Sequence, residues 1–343
     1  MNDQIAFFDQ PVLAIESSCD ETSAAVVIGR AVRSNVIASQ IEMHKKWGGI
    51  VPEAAARAHV EAILPVVHEA LKTANLTLQD MGAFAVTNRP GLIGALSVGL
   101  SAAKALAFGL NKPIIGIHHL EGHLLSVFGT DQEILFPHLA LIVSGGHTEL
   151  VLVLEPGNYK ILGETRDDAA GEAFDKTARL LGLGYPGGFA IQELARTGDP
   201  HRYPLPRGLS GDTFEFSFSG LKTAVMRLVE REGSELCVQD AAASLQEAVV
   251  SVLVDRTIAA AERMSVKMIT LVGGVAANQS LRTRLAARCA LAGFAFATPP
   301  LLLCTDNAAM IGLAASIRLC LVPPDNFALD AQSNADLALR MSV

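Results

Sequence analysis

The sequence predicts an α/β protein of two lobes, and three observations carry that reading. Apolar runs of strand length alternate with longer segments of helical character. One strand–turn–strand pattern occurs twice. Half of the residues are hydrophobic but only 5% are aromatic, so Ala, Val, Leu and Gly must fill an interior of sheets with closely packed helices. At 343 residues the chain is too long for one ordinary core and comfortable for two.

The repeat begins with Leu13-Ala14-Ile15-Glu16-Ser17-Ser18-Cys19-Asp20-Glu21-Thr22 and a second apolar run to Ile28. It returns in Leu139-Ala140-Leu141-Ile142-Val143-Ser144-Gly145-Gly146-His147-Thr148 and a second apolar run to Leu154. Leu, Ala, Ser, Thr and Val recur at equal offsets. Small-residue turns of this kind expose backbone N–H groups that can bind an anion, phosphate above all. A third segment, Met268 to Val272, reads as a buried strand and runs into Gly273-Gly274-Val275-Ala276-Ala277-Asn278. Asn278 can either cap the following helix or meet a ligand hydroxyl.

In chain order, strands are expected at 12–16, 24–29, 34–39, 83–87, 113–117, 139–144, 149–154, 160–164 and 268–272. Helices are expected at 52–74, 92–109, 119–128, 170–182, 188–197, 219–231, 238–263, 279–292 and 305–319. The first lobe is read as 1–130, completed by a returning C-terminal helix and tail at 305–343, and the second as 131–304. The apolar stretch Gly91–Leu110 is as long as a bilayer span. It contains Ser97, Ser101 and Lys104, and reads as a helix buried in a soluble protein with no membrane role.

The composition, with 18% charged residues, excludes a disordered or fibrous chain. A net charge of −8 argues against a free-standing, non-specific nucleic-acid binder. A local basic patch remains compatible with RNA, and Lys45, Lys46, Arg57, Arg202, Arg207 and Lys222 are its candidates. The five cysteines are odd in number and lack CxxC spacing, which indicates a reducing compartment without a disulfide framework. Residues 1–10 have no basic n-region and do not read as a secretory signal. The expected location is cytoplasmic.

His119 and His123 stand four apart in His118-His119-Leu120-Glu121-Gly122-His123. On a helix that spacing turns both imidazoles to one face, suited to one divalent ion. A zinc peptidase places its Glu directly after the first His. Glu121 comes one residue later and faces away, which disfavours a peptidase. Asp306, in Thr305-Asp306-Asn307, is either the cap of the next helix or the carboxylate completing a two-His, one-carboxylate set.

Several motifs together resemble one family. They are Glu16-Ser17-Ser18-Cys19-Asp20-Glu21-Thr22, His44 with Trp47 to Glu53 and Arg57-Ala58-His59, His119 to His123, and Val143 to Thr148. Further on come Asp167 to Lys176, Tyr185-Pro186-Gly187-Gly188, Phe216 to Thr223, Gly273 to Asn278 and Cys304 to Asn307. Over about residues 11 to 320 the chain resembles the TsaD family, the tRNA threonylcarbamoyladenosine transferases once classed as glycoproteases.

The resemblance implies a two-lobe actin/hexokinase/Hsp70-like (ASKHA) fold with duplicated mixed-sheet domains. It implies one divalent metal on His119, His123 and Asp306, iron(II) with zinc as the alternative. It implies a substrate site at Ile142, Val143, Ser144, Gly145, Gly146, Asp175, Gly188 and Asn278. The reaction implied is transfer of threonylcarbamoyl from threonylcarbamoyl-AMP to the exocyclic amine of the adenosine 3′ of the anticodon, in tRNAs reading codons that begin with A, with release of AMP. Asp20 and Glu21 are the candidate catalytic carboxylates. The partners implied are tRNA, the homologous TsaB, the small ATPase TsaE through which ATP and magnesium act, and an upstream threonylcarbamoyl-AMP synthase. The sequence departs from the family's pattern at Asn88-Arg89, Phe189 and Gln192. The rival readings are a two-lobe kinase or ATPase of the same fold, which has no use for the His pair, a silent scaffold, and the disfavoured metallopeptidase.

Overall fold

The computed structural model describes residues 5–209, 211 and 213–338. The outermost parts of the N- and C-terminal readings, 1–4 and 339–343, lie outside them. The chain divides into two compact units. One holds the described residues up to Gln132 together with Pro299–Leu337, and the other holds Glu133–Thr298.

The first unit is built on strands β1 (Val12–Glu16), β2 (Glu21–Ile28), β3 (Ala31–Ser39), β4 (Ala83–Arg89) and β5 (Ile114–His118). Its helices are α1 (Ile41–His44), α2 (Pro52–Ala74), α3 (Ile93–Leu110) and α4 (His119–Leu125). The second unit has β6 (His138–Val143), β7 (Thr148–Glu155), β8 (Asn158–Glu164), β9 (Met268–Val272) and β10 (Ala295–Ala297). Its helices are α5 (Ala170–Leu180), α6 (Gly187–Ala195), α7 (Ser219–Glu232), α8 (Val238–Met264) and α9 (Gln279–Ala292). Helix α10 (Ala308–Leu321) belongs to the first unit.

The two sheets run β3-β2-β1-β4-β5 and β8-β7-β6-β9-β10. Each joins an antiparallel three-strand meander to two parallel strands. The sequence repeat is therefore a repeat of topology and of register. Leu13 pairs with Val26 and Phe84 in one sheet, and Leu139 with Leu152 and Ile269 in the other. The central strands are buried along their whole length, as apolar strands covered by helices should be.

The first unit's core gathers Leu13, Ile15, Val26, Ile63, Val67, Phe84 and Val86. Each such side chain contributes about 1.5–3 kcal/mol on burial. Helix α3 is long and apolar enough to cross a membrane by length and composition. Its Ala95, Leu96, Leu100, Ala103 and Ala107 are nonetheless buried, and it packs on β4 and α2. Sequence periodicity did not indicate α1 or β10. One is a single turn and the other three residues at a sheet edge, too short for a repeating pattern. The expected helix at 119–128 closes as α4 followed by a 3-10 turn, Ser126–Gly129.

Candidate active site

The metal-type residues are all in the first unit. Strand β5 ends at His118, whose Nδ1 accepts the Leu120 N–H and caps α4. His119 and His123 follow on one face, their ring centroids 4.8 Å apart. Helix α10 packs on α4, and this contact needs Gly122. A Cβ there would lie 2.7 Å from Ile311 Cδ1. The approach brings the residues just before α10 to the two rings.

Asp306 is not the helix cap. Asn307 Oδ1 accepts the Met310 N–H at 3.0 Å, while Ser23 Oγ and Asn35 Oδ1 take those of Ala308 and Ala309. With the first-turn donors satisfied, Asp306 is left for other work. Its Oδ1 stands 3.2 Å from His123 Nε2 and 3.5 Å from His119 Nε2. Together these three are the one metal-capable cluster found among the described residues, with ligand atoms within 4.8 Å of one another. Glu121 points elsewhere, 3.8 Å from Arg318 Nε on α10, as its spacing implied.

A residue not singled out from sequence organises this cluster. Glu16 closes the otherwise apolar strand β1 and is fully buried. Its Oε1 accepts the Ser18 N–H, and its Oε2 meets the Thr87 hydroxyl and His119 Nδ1, the latter at 3.2 Å. Ser18 Oγ lies 3.2 Å from the same Nδ1. The carboxylate keeps the ring proton on Nδ1, which turns the Nε2 lone pair toward Asp306. The two imidazole Nε2 atoms and a carboxylate oxygen then face one another, and a proton or a cation has to lie among them. The donor set, two neutral imidazoles and one carboxylate, fits a divalent transition ion. The one available signal for Glu16 was its charge at a strand position whose neighbours are all core residues.

Burial opposes charge here, but the groups overcome it together. Burial raises the Asp306 pKa, yet His119 and His123 hold it well below the usual carboxylate range. Burial lowers the His119 pKa, yet Asp306 and Glu16 hold it well above the usual histidine value. Burial keeps the His123 pKa low. Glu16 is lowered by His119 against its own burial.

Asp20 lies in the β1–β2 turn, and Glu21 is the first residue of β2 rather than a turn residue. His59 of α2 clamps this segment from both sides. Its Nε2 donates to the Cys19 carbonyl at 3.0 Å, and its Nδ1 meets Thr22 Oγ1 at 2.7 Å. Burial, and next Asp306, raises the Asp20 pKa. Burial and Asp20 push Glu21 up to about 8. Ser39 Oγ donates to Glu21 Oε1, while the buried Oε2 has no partner among the described residues.

In the second unit, Ile142 and Val143 end β6 and are buried, and Gly145 and Gly146 are exposed at the turn. The N–H groups of Gly146 and His147 both reach Ser144 Oγ. The Gly171 N–H meets the Ser144 carbonyl and so ties α5, which carries Asp175, to this turn. Gly273, at φ +94, approaches so closely that a Cβ would lie 2.4 Å from the Val143 carbonyl oxygen. That contact brings the β9–α9 connection to the same strand end. Asn278 caps α9 through the Leu281 N–H, and its Nδ2 donates to Gln246 Oε1. Asp175 Oδ1 accepts the Gly187 N–H at 2.7 Å, beside Gly188. Gln192, a departure from the family pattern, takes the Gln279 N–H at 2.7 Å, and Phe189 is exposed.

Of the basic candidates, Lys45, Arg202 and Arg207 are paired with Glu42, Asp240 and Glu247. Lys46, Arg57 and Lys222 are exposed. All five cysteines are free thiols.

A family model described as TsaD, tRNA N6-adenosine threonylcarbamoyltransferase, matches residues 31–313. The tRNA N6-adenosine threonylcarbamoyltransferase of Symbiobacterium thermophilum is 55% identical over 306 residues, covering 88% of this chain and 90% of the relative. That of Clostridium botulinum is 54% identical over 309 residues, covering 89% and 91%. Among solved structures, T. kodakarensis HypF matches with a TM-score of 0.63 at 12% identity, over 92% of this chain and 49% of that chain. With the duplicated mixed sheets, this likeness gives the chain the actin/hexokinase/Hsp70-type fold.

Proposed function

The chain belongs to the TsaD family of tRNA N6-adenosine threonylcarbamoyltransferases, metal-dependent enzymes that act on tRNA, and on that premise we propose how its residues divide the reaction. The donor is threonylcarbamoyl-AMP, a mixed anhydride whose carbonyl is already activated by its AMP leaving group. The acceptor is the exocyclic amine of the adenosine 3′ of the anticodon. The amine nitrogen bonds to the carbamoyl carbon, the bond to the phosphate oxygen breaks, and the amine loses one proton.

The observation that carries this reading is the convergence of His119 Nε2, His123 Nε2 and Asp306 Oδ1. These three would hold one divalent ion, iron(II) in preference to zinc, which supplies charge to anchor donor oxygens and to stabilise negative charge at the carbonyl. The exposed Gly145 N–H, joined by that of Gly146 turning away from Ser144 Oγ, binds the donor phosphate beyond Ile142 and Val143, while the Ser144 N–H is held by the His147 carbonyl and keeps the turn in shape. Asp175 and Asn278, with the backbone at Gly188, position the nucleoside, and a carboxylate pairs well with ribose hydroxyls. Holding both reactants makes the attack effectively unimolecular.

Glu21 takes the proton from the attacking amine. Its pKa of about 8 lies near working pH, and Oε2 is uncommitted among the described residues. Asp20 keeps that value high and orients the amine. Lys46, Arg57 and Lys222 are the basic contacts available to tRNA. The lobes are read as 1–130 completed by the C-terminal helix and tail at about 305–343, and 131–304, a division supported by two compact units whose boundaries fall near Gln132 and Pro299. TsaB and TsaE, the latter with ATP and magnesium, are the partners, and a threonylcarbamoyl-AMP synthase supplies the donor in the cytoplasm.

The test is reconstitution. The protein is incubated with threonine, bicarbonate, ATP, tRNA, the synthase and both partners, and the digested tRNA is weighed as nucleosides. Threonylcarbamoyladenosine should form only when this chain is present. Its absence with every component active would reject the reading.

A further inference from the structure

The segment after α10 belongs to the same unit as the metal cluster and is tied to it by two separate routes. It first pairs with the edge strand. Asp325 N donates to the Ile114 carbonyl, and Asp325 Oδ2 accepts the Gly116 N–H. Phe327 then meets Phe108 edge-on at 5.6 Å, and Leu329 and Ala331 pack against the core. Next it crosses the end of β4. Asn88 Nδ2 donates to the Asp330 carbonyl at 3.0 Å, and the Gln332 N–H donates back to the Asn88 carbonyl at 2.9 Å. Asn88 is one of the residues by which this chain departs from its family's pattern.

From there two routes run separately to His119 and to the start of the helix that carries it. The Ser333 carbonyl accepts the Gly91 N–H, the neighbouring Leu92 N–H binds the Ser18 carbonyl, and Ser18 Oγ lies 3.2 Å from His119 Nδ1. Two residues along the tail, the Ala335 carbonyl accepts from His118 Nε2 at 3.1 Å, while Nδ1 of the same ring caps α4 at Leu120 N. One route holds the side chain of His119 and the other holds the first turn of the helix that carries it.

We propose that residues 329–335 are a positioning strap for His119, which sets how tightly the His119–His123–Asp306 cluster holds a divalent ion. This rests on the metal role given to those three residues above. The strap touches neither ring nitrogen facing Asp306. It acts through His118 and Ser18, in the way that groups behind a ligand fix its orientation and tune affinity.

Zinc affinity is measured by competition with a chromophoric chelator, on the full chain, a chain ending at Ala338, a chain ending at Ser333, and full-length His118→Phe. Thermal melting in chelator is recorded for each. The chain ending at Ala338 keeps every strap contact and should match the full chain. The chain ending at Ser333 and His118→Phe should each bind zinc about tenfold or more weakly. If the Ser333 chain does not fold, His118→Phe, which retains a ring, decides. Zinc affinity in His118→Phe within about twofold of the full chain would overturn the strap, since loss of an orienting group costs about tenfold or more. A full chain that binds no zinc, cobalt or iron would overturn the metal assignment itself, and the strap with it.

Discussion

Replacing Glu16 by Gln tests the account at the residue that organises the cluster. Both carboxylate oxygens of Glu16 act as acceptors. Oε1 takes the Ser18 N–H, and Oε2 takes the Thr87 hydroxyl and the His119 Nδ1 proton. An amide offers one acceptor and one donor. Whichever way the substituted amide turned, its NH2 would face a donor, and a buried bond would be lost at a cost of about 1–3 kcal/mol. If the NH2 faced His119, the ring would shed its proton from Nδ1, carry it on Nε2 and lose its lone pair toward Asp306. Losses of this kind behind a ligand cost about 10–100-fold in metal affinity, or about 1.4–2.7 kcal/mol. The assay is chelator competition for affinity, with urea unfolding in chelator for stability. If the NH2 faced Ser18 instead, His119 would keep its acceptor and the loss would fall on stability alone. The reasoning is therefore refuted by an affinity within about twofold of wild type together with unchanged stability in chelator, which would mean that neither His119 nor Ser18 needs the second carboxylate oxygen.

Other perturbations have equally defined outcomes. Glu21→Gln should slow single-turnover transfer by about 10²–10⁴-fold and leave donor binding intact. The wild-type rate should climb with pH through about 8, where Glu21 loses its proton, and level above it, and a wild-type rate in the variant would remove Glu21 from the chemistry. Gly273→Ala forces a side chain into φ +94 and against the Val143 carbonyl, which should cost about 2–5 kcal/mol in urea unfolding; a loss under about 0.5 kcal/mol would contradict the close approach. Burial holds His138 at about 4, below the ordinary 6.5. Between those values the unfolded chain takes up a proton that the folded chain does not. Stability should therefore fall by about 3 kcal/mol as pH drops through that window and stay level above it. His138→Phe should lack that part of the slope, and identical pH profiles would show that His138 is not the group responsible.

Much of this was legible in the sequence because the relevant patterns are periodic or local. The strand runs at 12–16 and 139–144 announced themselves by apolar character interrupted only at their last residues, Glu16 and Ser144, and their duplication returned as matched register in the two sheets. The His119/His123 pair was legible because helix geometry alone puts residues four apart on one face. Asp306 was not settled by local sequence, because a carboxylate ahead of an apolar helix is also an ordinary cap. Three other residues decided the matter, since Ser23, Asn35 and Asn307 satisfy the donors that would otherwise have claimed it. Glu16, Ser18 and Thr87 became visible only when β1, β4 and α4 were brought together. The tail beyond α10 carries no periodicity, and its role depends on backbone carbonyls at Ser333 and Ala335, which no side-chain pattern encodes.

The most direct measurement is the metal content of the protein purified without added chelator, beside His123→Ala prepared in parallel. Elemental analysis should find about one equivalent of a divalent transition metal in the wild-type chain and less than about a tenth of that in the variant, with circular dichroism unchanged, as expected when one of three ligands is removed. Equal metal in the two proteins would mean that the ion, if any, sits elsewhere, and the assignment of His119, His123 and Asp306 would fall.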